Sequence, residues 1–185
     1  TGGDSLALFT GSHSTTRTST TQDNRVNDGT TTNMDLAEDA LEAGETVVAA
    51  SLTDESDQVI AYNLDTLFVP RKLVWTAERL LQSTGRVGTA NRDVNLVKGI
   101  YKLVTLHYHA NTAASYGKQY YIKDTTMNNN DGFMMYIESQ PLMKDDGSPN
   151  IDFDTKSIKY SWSLMYITGH NHYGSYLGSK GTNAA

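Results

Sequence analysis

The chain has 185 residues, enough for one domain or two small ones at about 100 to 150 residues each. Its 15 Lys and Arg are scattered and outnumbered by 21 Asp and Glu, giving a formal net charge of −6; the basic stripe that neutralises phosphates is missing, so direct or sequence-specific nucleic-acid binding is disfavoured. The lack of Cys excludes disulfides, thiolate metal sites and cysteine nucleophiles, and no run approaches the roughly 18 apolar residues of a membrane span.

Thr1-Gly2-Gly3-Asp4 carries neither an initiator Met nor a signal peptide, and is expected to be the interior of a longer protein. Residues 10–33 are rich in Thr, Ser, Asn and Asp with almost no apolar residue, which predicts a loop or extended arm unable to bury a face. From Met34 to about Ala50, Ala37, Ala40, Leu41, Val47 and Val48 recur at helical spacing, with Asp35, Glu38 and Asp39 in the first turns and Thr32 or Asn33 as cap. Asp54 to Asp57 is a polar turn, and Val59 to Val69 reads as one or two short strands with Ile60, Tyr62 and Leu64 alternating.

Pro70 suits the first turn of a helix, since its missing N–H would lack a partner there in any case. Leu73, Ala77, Leu80 and Leu81 then form an apolar stripe predicting a helix to about Ser83, with Gly85 as its stop. Beyond the polar loop Thr84 to Arg92, five segments are strand candidates: Val94 to Val97, Tyr101 to His109, Tyr120 to Lys123, Phe133 to Glu138 and Ser157 to Thr168. Asn128-Asn129-Asn130-Asp131-Gly132 and Lys144 to Pro149 read as turns between them. Ile158, Tyr160, Trp162, Leu164 and Tyr166 alternate with Ser157, Lys159, Ser161 and Ser163, which predicts a strand with one buried side. Two main helices packed on a mostly antiparallel sheet make an α+β fold.

Candidate chemistry centres on histidine. Four of the five His form His-x-His pairs, His107/His109 and His170/His172; on a strand each pair would place two imidazoles on one face, as a metal site requires. No third ligand is evident beyond Asp152 and Asp154, and a polar, aromatic strand face gives the same pattern, so no metal or other cofactor is assigned. Asp145-Asp146 and Asp152/Asp154 flank Gly147, Ser148 and Pro149 and read as solvated turns before a glycosidase pair. There is no Gly-x-Ser-x-Gly elbow, and Gly85-Arg86-Val87-Gly88 lacks the end of a phosphate loop, so catalysis has no positive support. The 11 Tyr and two Trp could form a sugar-stacking platform, which makes a carbohydrate-binding or adhesin module of a tail fibre or surface protein the alternative; a His-based metal-dependent enzyme is the second.

Several segments resemble one family in their order. They are Gly3 to Ser14, the strand–Pro–helix block Leu64 to Ser83, the Asn-rich segment Asn91 to Gly99, Tyr136 to Leu142, and Gly169 to Tyr176. Together they resemble the C-terminal half of the major capsid (major head) protein of tailed bacteriophages with the Hong Kong 97-type fold, in particular the Mu-like major head subunits. His172 and Tyr173 depart from the Asp-Arg pattern usual near the end of that family. The resemblance implies an axial domain plus part of a peripheral domain: residues 1–33 as an extended polar segment or loop of the peripheral domain, 34–140 as the axial-type α+β domain, and 141–185 as return strands. It further implies a non-enzymatic structural protein that assembles in the host cytoplasm into the icosahedral head enclosing phage DNA. Its partners would be identical subunits in hexameric and pentameric capsomers, with decoration or portal proteins as further candidates. Asn128 to Gly132 and Thr84 to Arg92 are expected to supply inter-subunit contacts.

Overall fold

The computed structural model describes residues 6–14, 21–29, 33–54, 56, 58–86, 93–108, 116–144, 151–152, 157–158 and 161–181. The fold is α+β, as the pattern of elements predicts. Its centre is a four-stranded sheet in the order β10 (Tyr176–Ser179), β5 (Tyr120–Lys123), β3 (Thr66–Pro70), β4 (Lys102–Leu106). β10 and β3 both run antiparallel to β5, while β3 and β4 are parallel. The strand from the C-terminal segment therefore forms one edge of a sheet whose other three strands all come from residues 34–140.

Helix α1 (Glu38–Ser51) buries Ala40, Leu41, Val47 and Val48 as the spacing predicts, together with Ala43 and Gly44, whereas Ala37, also expected on the stripe, is exposed. Gly44 faces the sheet: a Cβ there would stand 3.4 Å from Ile122 Cδ1 and 3.6 Å from Leu177 Cδ1, which is ordinary packing distance, so the helix rests directly on β5 and β10. The helix starts later than the acidic run suggests, with Ala37 at the N-cap and no side-chain cap from Thr32 or Asn33. Burial of Leu41, Leu67, Ile122 and Leu177, each at most 1% exposed, contributes up to about 1.5–3 kcal/mol apiece.

The strand–Pro–helix block forms in the predicted order, but Pro70, expected in the first turn of the helix, is the last residue of the strand and pairs with Leu106. Pro70 ends β3, Arg71–Leu73 make one 3-10 turn, and α2 (Val74–Gln82) buries Ala77, Leu80 and Leu81. Residues 60–65 precede β3 without being a strand; only an isolated bridge, Thr53 to Val59, forms there, although Tyr62 and Leu64 are buried. Residues 94–97, expected as a strand, likewise make only a single bridge, from Val94 to Gly85. The Asn95 side chain explains the difference. It donates to the Leu80 carbonyl at 2.5 Å and the Ser83 carbonyl at 3.0 Å, supplying donors that the last turn of a helix otherwise lacks. Gly99 N–H adds a third bond, to the Leu81 carbonyl at 3.1 Å, so the segment caps α2 and does not pair in a sheet.

Asn128 to Asp131 also depart from expectation, because they lie in helix α3 (Thr125–Asp131) and not in a turn. Asp124 caps it, accepting from Met127 N–H at 2.9 Å through one oxygen and from Asn63 N–H at 2.8 Å through the other.

The polar stretch 10–33 was expected to bury nothing, yet its described part is built into the core. β1 (His13–Ser14) pairs with β2 (Thr21–Gln22), and His13, Gln22, Asn24 and Val26 are each at most 2% exposed. Asn24 is the hub. Its Nδ2 reaches the carbonyls of Leu8 at 2.6 Å, Tyr173 at 3.2 Å and Tyr176 at 3.3 Å, and its Oδ1 accepts from Thr10 N–H at 3.1 Å. A polar residue can occupy a core when its donors and acceptors are all used in this way.

Candidate assembly surface

Beyond the sheet, β6 (Phe133–Lys144) and β9 (Ser161–His170) pair antiparallel as a two-stranded ribbon, and β7 (Ile151–Asp152) pairs with β8 (Ser157–Ile158) in the segment connecting them. β6 continues six residues past the expected end at Glu138, through Pro141, whereas the single strand expected over Ser157 to Thr168 is divided: Ser157 and Ile158 belong to β8, and β9 starts at Ser161 and runs two residues past Thr168. Phe133 pairs with His170, Met135 with Thr168 and Ile137 with Tyr166 on one face; Met134 pairs with Gly169 and Tyr136 with Ile167 on the other. Alternation adds Leu164 to the first face and Met165 to the second.

The one buried side predicted for this strand is not present. Leu164 is 41% exposed and Tyr166 59%, while on the opposite face Met165 is 58% and Ile167 69% exposed. Phe133, Met135, Tyr136 and Ile137 are exposed as well. Alternation identifies the faces of a strand but not what covers them, and here both faces are apolar. A contiguous exposed patch of this kind is the usual mark of an interaction surface.

The ribbon is seated by aromatic and imidazole groups. The Phe133 ring meets Tyr176 edge-on at 5.6 Å and His170 at 6.2 Å. Asn128 Oδ1 accepts from Phe133 N–H at 3.0 Å and from the Tyr176 hydroxyl, whose burial pushes its pKa up to about 12. Asn128, expected at an inter-subunit contact, thus holds α3 to the base of the ribbon. Of the other expected contact loop, Arg86 bonds Glu38 at 2.9 Å and Asp39 at 2.7 Å within the chain, and residues 87–92 lie outside the described residues.

The His170/His172 pair does not share a strand as its spacing suggests, and of the His107/His109 pair only His107 is described. His107 follows the end of β4 and is exposed, and His109 lies outside the described residues. His170 ends β9, so His172 falls beyond the strand, where it hydrogen-bonds the Tyr62 hydroxyl and stacks on that ring at 5.6 Å. Burial raises the Tyr62 phenol well above its ordinary pKa. Nearby, His13 stacks on Tyr173 at 3.9 Å, and the Tyr173 hydroxyl donates to Gln22 at 2.6 Å. These rings tie the N-terminal segment to the residues after β9. Among the described residues no group of three or more His, Asp or Glu is placed to hold a metal. Asp145, Asp146 and Asp154 lie outside the described residues.

Sequence reasoning missed two features: the buried polar hub at Asn24 and the exposure of both ribbon faces. The first has no hydrophobic signature, whereas the unusually low charge of residues 133–144 and 161–170, with only Glu138 and Lys144, was a signal for the second.

No family model, curated protein or solved structure matches the chain. Among the described residues no helix is long and apolar enough to cross a membrane.

Proposed function

We propose that this chain is a structural subunit that works by association with copies of itself, as part of a major capsid protein of Hong Kong 97 type, residing in the virion as a component of the phage head. The observation that carries the reading is the β6–β9 ribbon, which presents large apolar side chains on both faces. In an isolated molecule that surface would face water at a cost that association removes. The residue order that resembles the Mu-like head subunits supports the same reading, above all Pro70 between a strand and an amphipathic helix. An aromatic sugar platform is less well supported, because the exposed Tyr136 and Tyr166 lie on opposite faces of the ribbon and cannot stack on one ring. Electron microscopy of the purified native protein is the test. Closed shells or capsomer-sized rings are expected; a monodisperse monomer would refute the proposal.

A further inference from the structure

We infer that the ribbon associates through its faces and not its edges, with the Met135/Ile137/Tyr166 face of one copy lying on the Tyr136/Ile167 face of the next. The inference rests on the self-association proposed above and names the element that carries it. Three observations support it.

The edges of the ribbon are poor templates for adding a strand. Pro141 has no N–H to give to any ladder, and the register between β6 and β9 shifts twice, between Ile137 and Ser139 and again between Ser139 and Leu142. Proline and bulges are the devices by which exposed strands resist edge-to-edge pairing.

The faces, in contrast, have the area and neutrality that a copy requires. With about 150–250 Å2 as the full surface of a large side chain, the exposures of Phe133, Met135, Ile137, Leu164 and Tyr166 amount to roughly 400–650 Å2 on one face, and those of Tyr136, Met165 and Ile167 to roughly 300–450 Å2 on the other. A standard specific interface takes about 800 Å2 from each partner, a little over half of it apolar, so each face supplies most of the apolar part of one contact. Although the whole chain carries −6, the ribbon strands hold only Glu138 and Lys144 as charged residues, so two copies can approach there without strong repulsion.

The two faces are also unlike. The first is the bulkier, while the second has Gly169 opposite Met134, with nothing within 4 Å of where a Cβ would stand. Unlike surfaces meeting head to tail give a heterologous contact, which closes into rings or propagates and does not stop at a dimer. That geometry suits the building of a container.

The test uses the full chain with one face altered at a time, in residues that keep strand propensity: Ile137→Thr with Tyr166→Thr, and Tyr136→Thr with Ile167→Thr. Circular dichroism verifies the fold, and native mass spectrometry with analytical ultracentrifugation gives the stoichiometry. The unaltered chain should form species larger than dimers, and each variant alone should lose them and sediment as a monomer. An equimolar mixture of the two variants should recover a heterodimer through the one intact pair of faces. Restoring the missing N–H with Pro141→Val should leave the stoichiometry of the unaltered chain unchanged. If each variant forms homodimers by itself, or if both assemble like the unaltered chain, the face-to-face inference is overturned and the capsid reading stands. If the unaltered chain remains a monomer at every soluble concentration, the capsid reading itself fails.

Discussion

The Asn24 amide donates to the backbone carbonyl of Tyr176, 152 positions further along the chain, at 3.3 Å. The same nitrogen serves Leu8 and Tyr173, so one side chain fastens three segments together. Replacing it with Ala would leave these buried carbonyls without that donor. Since a buried group deprived of its partner costs about 1–3 kcal/mol, Asn24→Ala is expected to destabilise the fold by about 3 kcal/mol or more. Urea denaturation followed by circular dichroism reads this as a lowered midpoint with little change in slope.

Gly178 lies beneath the Phe9 ring, which stacks on Tyr121 at 4.9 Å. A Cβ at residue 178 would lie 2.4 Å from Phe9 Cδ1, a distance that forces the ring away. Gly178→Ala should therefore cost about 1–3 kcal/mol. Adding Phe9→Ala should cost less in the Gly178→Ala background than in the native one, a coupling that a double-mutant cycle measures directly.

Asp65 gives a pH dependence of known sign. Burial raises its carboxyl pKa, but hydrogen bonds from the Thr66 and Thr125 hydroxyls, each 2.7 Å, and from Thr125 N–H, with the charge of Lys123, outweigh that and hold it below the ordinary 3.8. Its folded pKa is depressed, so its contribution is complete above pH 3.8 and is lost as pH falls through the folded value. Asp23, bonded to Arg25 at 2.7 Å, behaves likewise. Thermal melts of Asp65→Asn should show lower stability than the native chain at neutral pH and a shallower loss below pH 3.8.

Asp124 joins the start of α3 to the Asn63 backbone, and it is only 2% exposed. Asp124→Ala removes a cap worth about 1 kcal/mol and also leaves the Asn63 N–H without this acceptor, a further 1–3 kcal/mol on the same scale. Hydrogen exchange should show lost protection first at Met127 and Asn63, because these two amides bond directly to the carboxylate. Equal loss across the whole sheet would refute this local role.

The sequence was most legible where an apolar stripe and a breaker coincide. Ala77, Leu80 and Leu81 after Pro70 specify α2, and Ala40, Leu41, Val47 and Val48 specify α1, since helical spacing and burial are one signal there. It was least legible where polar side chains replace backbone partners. Asn95 caps a helix from a segment with strand-like composition, and Asn128 to Asn130 extend a helix although asparagine runs usually mark turns. For the ribbon, the alternation of Leu164 and Tyr166 with Ser163 defined the two faces correctly. Burial of one of them depended on a second layer, which no local pattern encodes.

The junction between residues 24–26 and β10 bears on how the chain folds during synthesis. Val26 N–H bonds to the Gly178 carbonyl at 2.9 Å, and Gly178 N–H bonds to the Asn24 carbonyl at 3.1 Å. The strand that closes the sheet and seals the polar N-terminal segment is thus made after all of its partners. Translation at about 5–20 residues per second leaves those partners waiting several seconds, with Ile122 and Val26 open to solvent. The ribbon strand β6 emerges in that interval, before its own partner β9. A ribosome stalled just short of Tyr176 would hold a chain that has both its main helices and most of its sheet, yet is unable to lock them together.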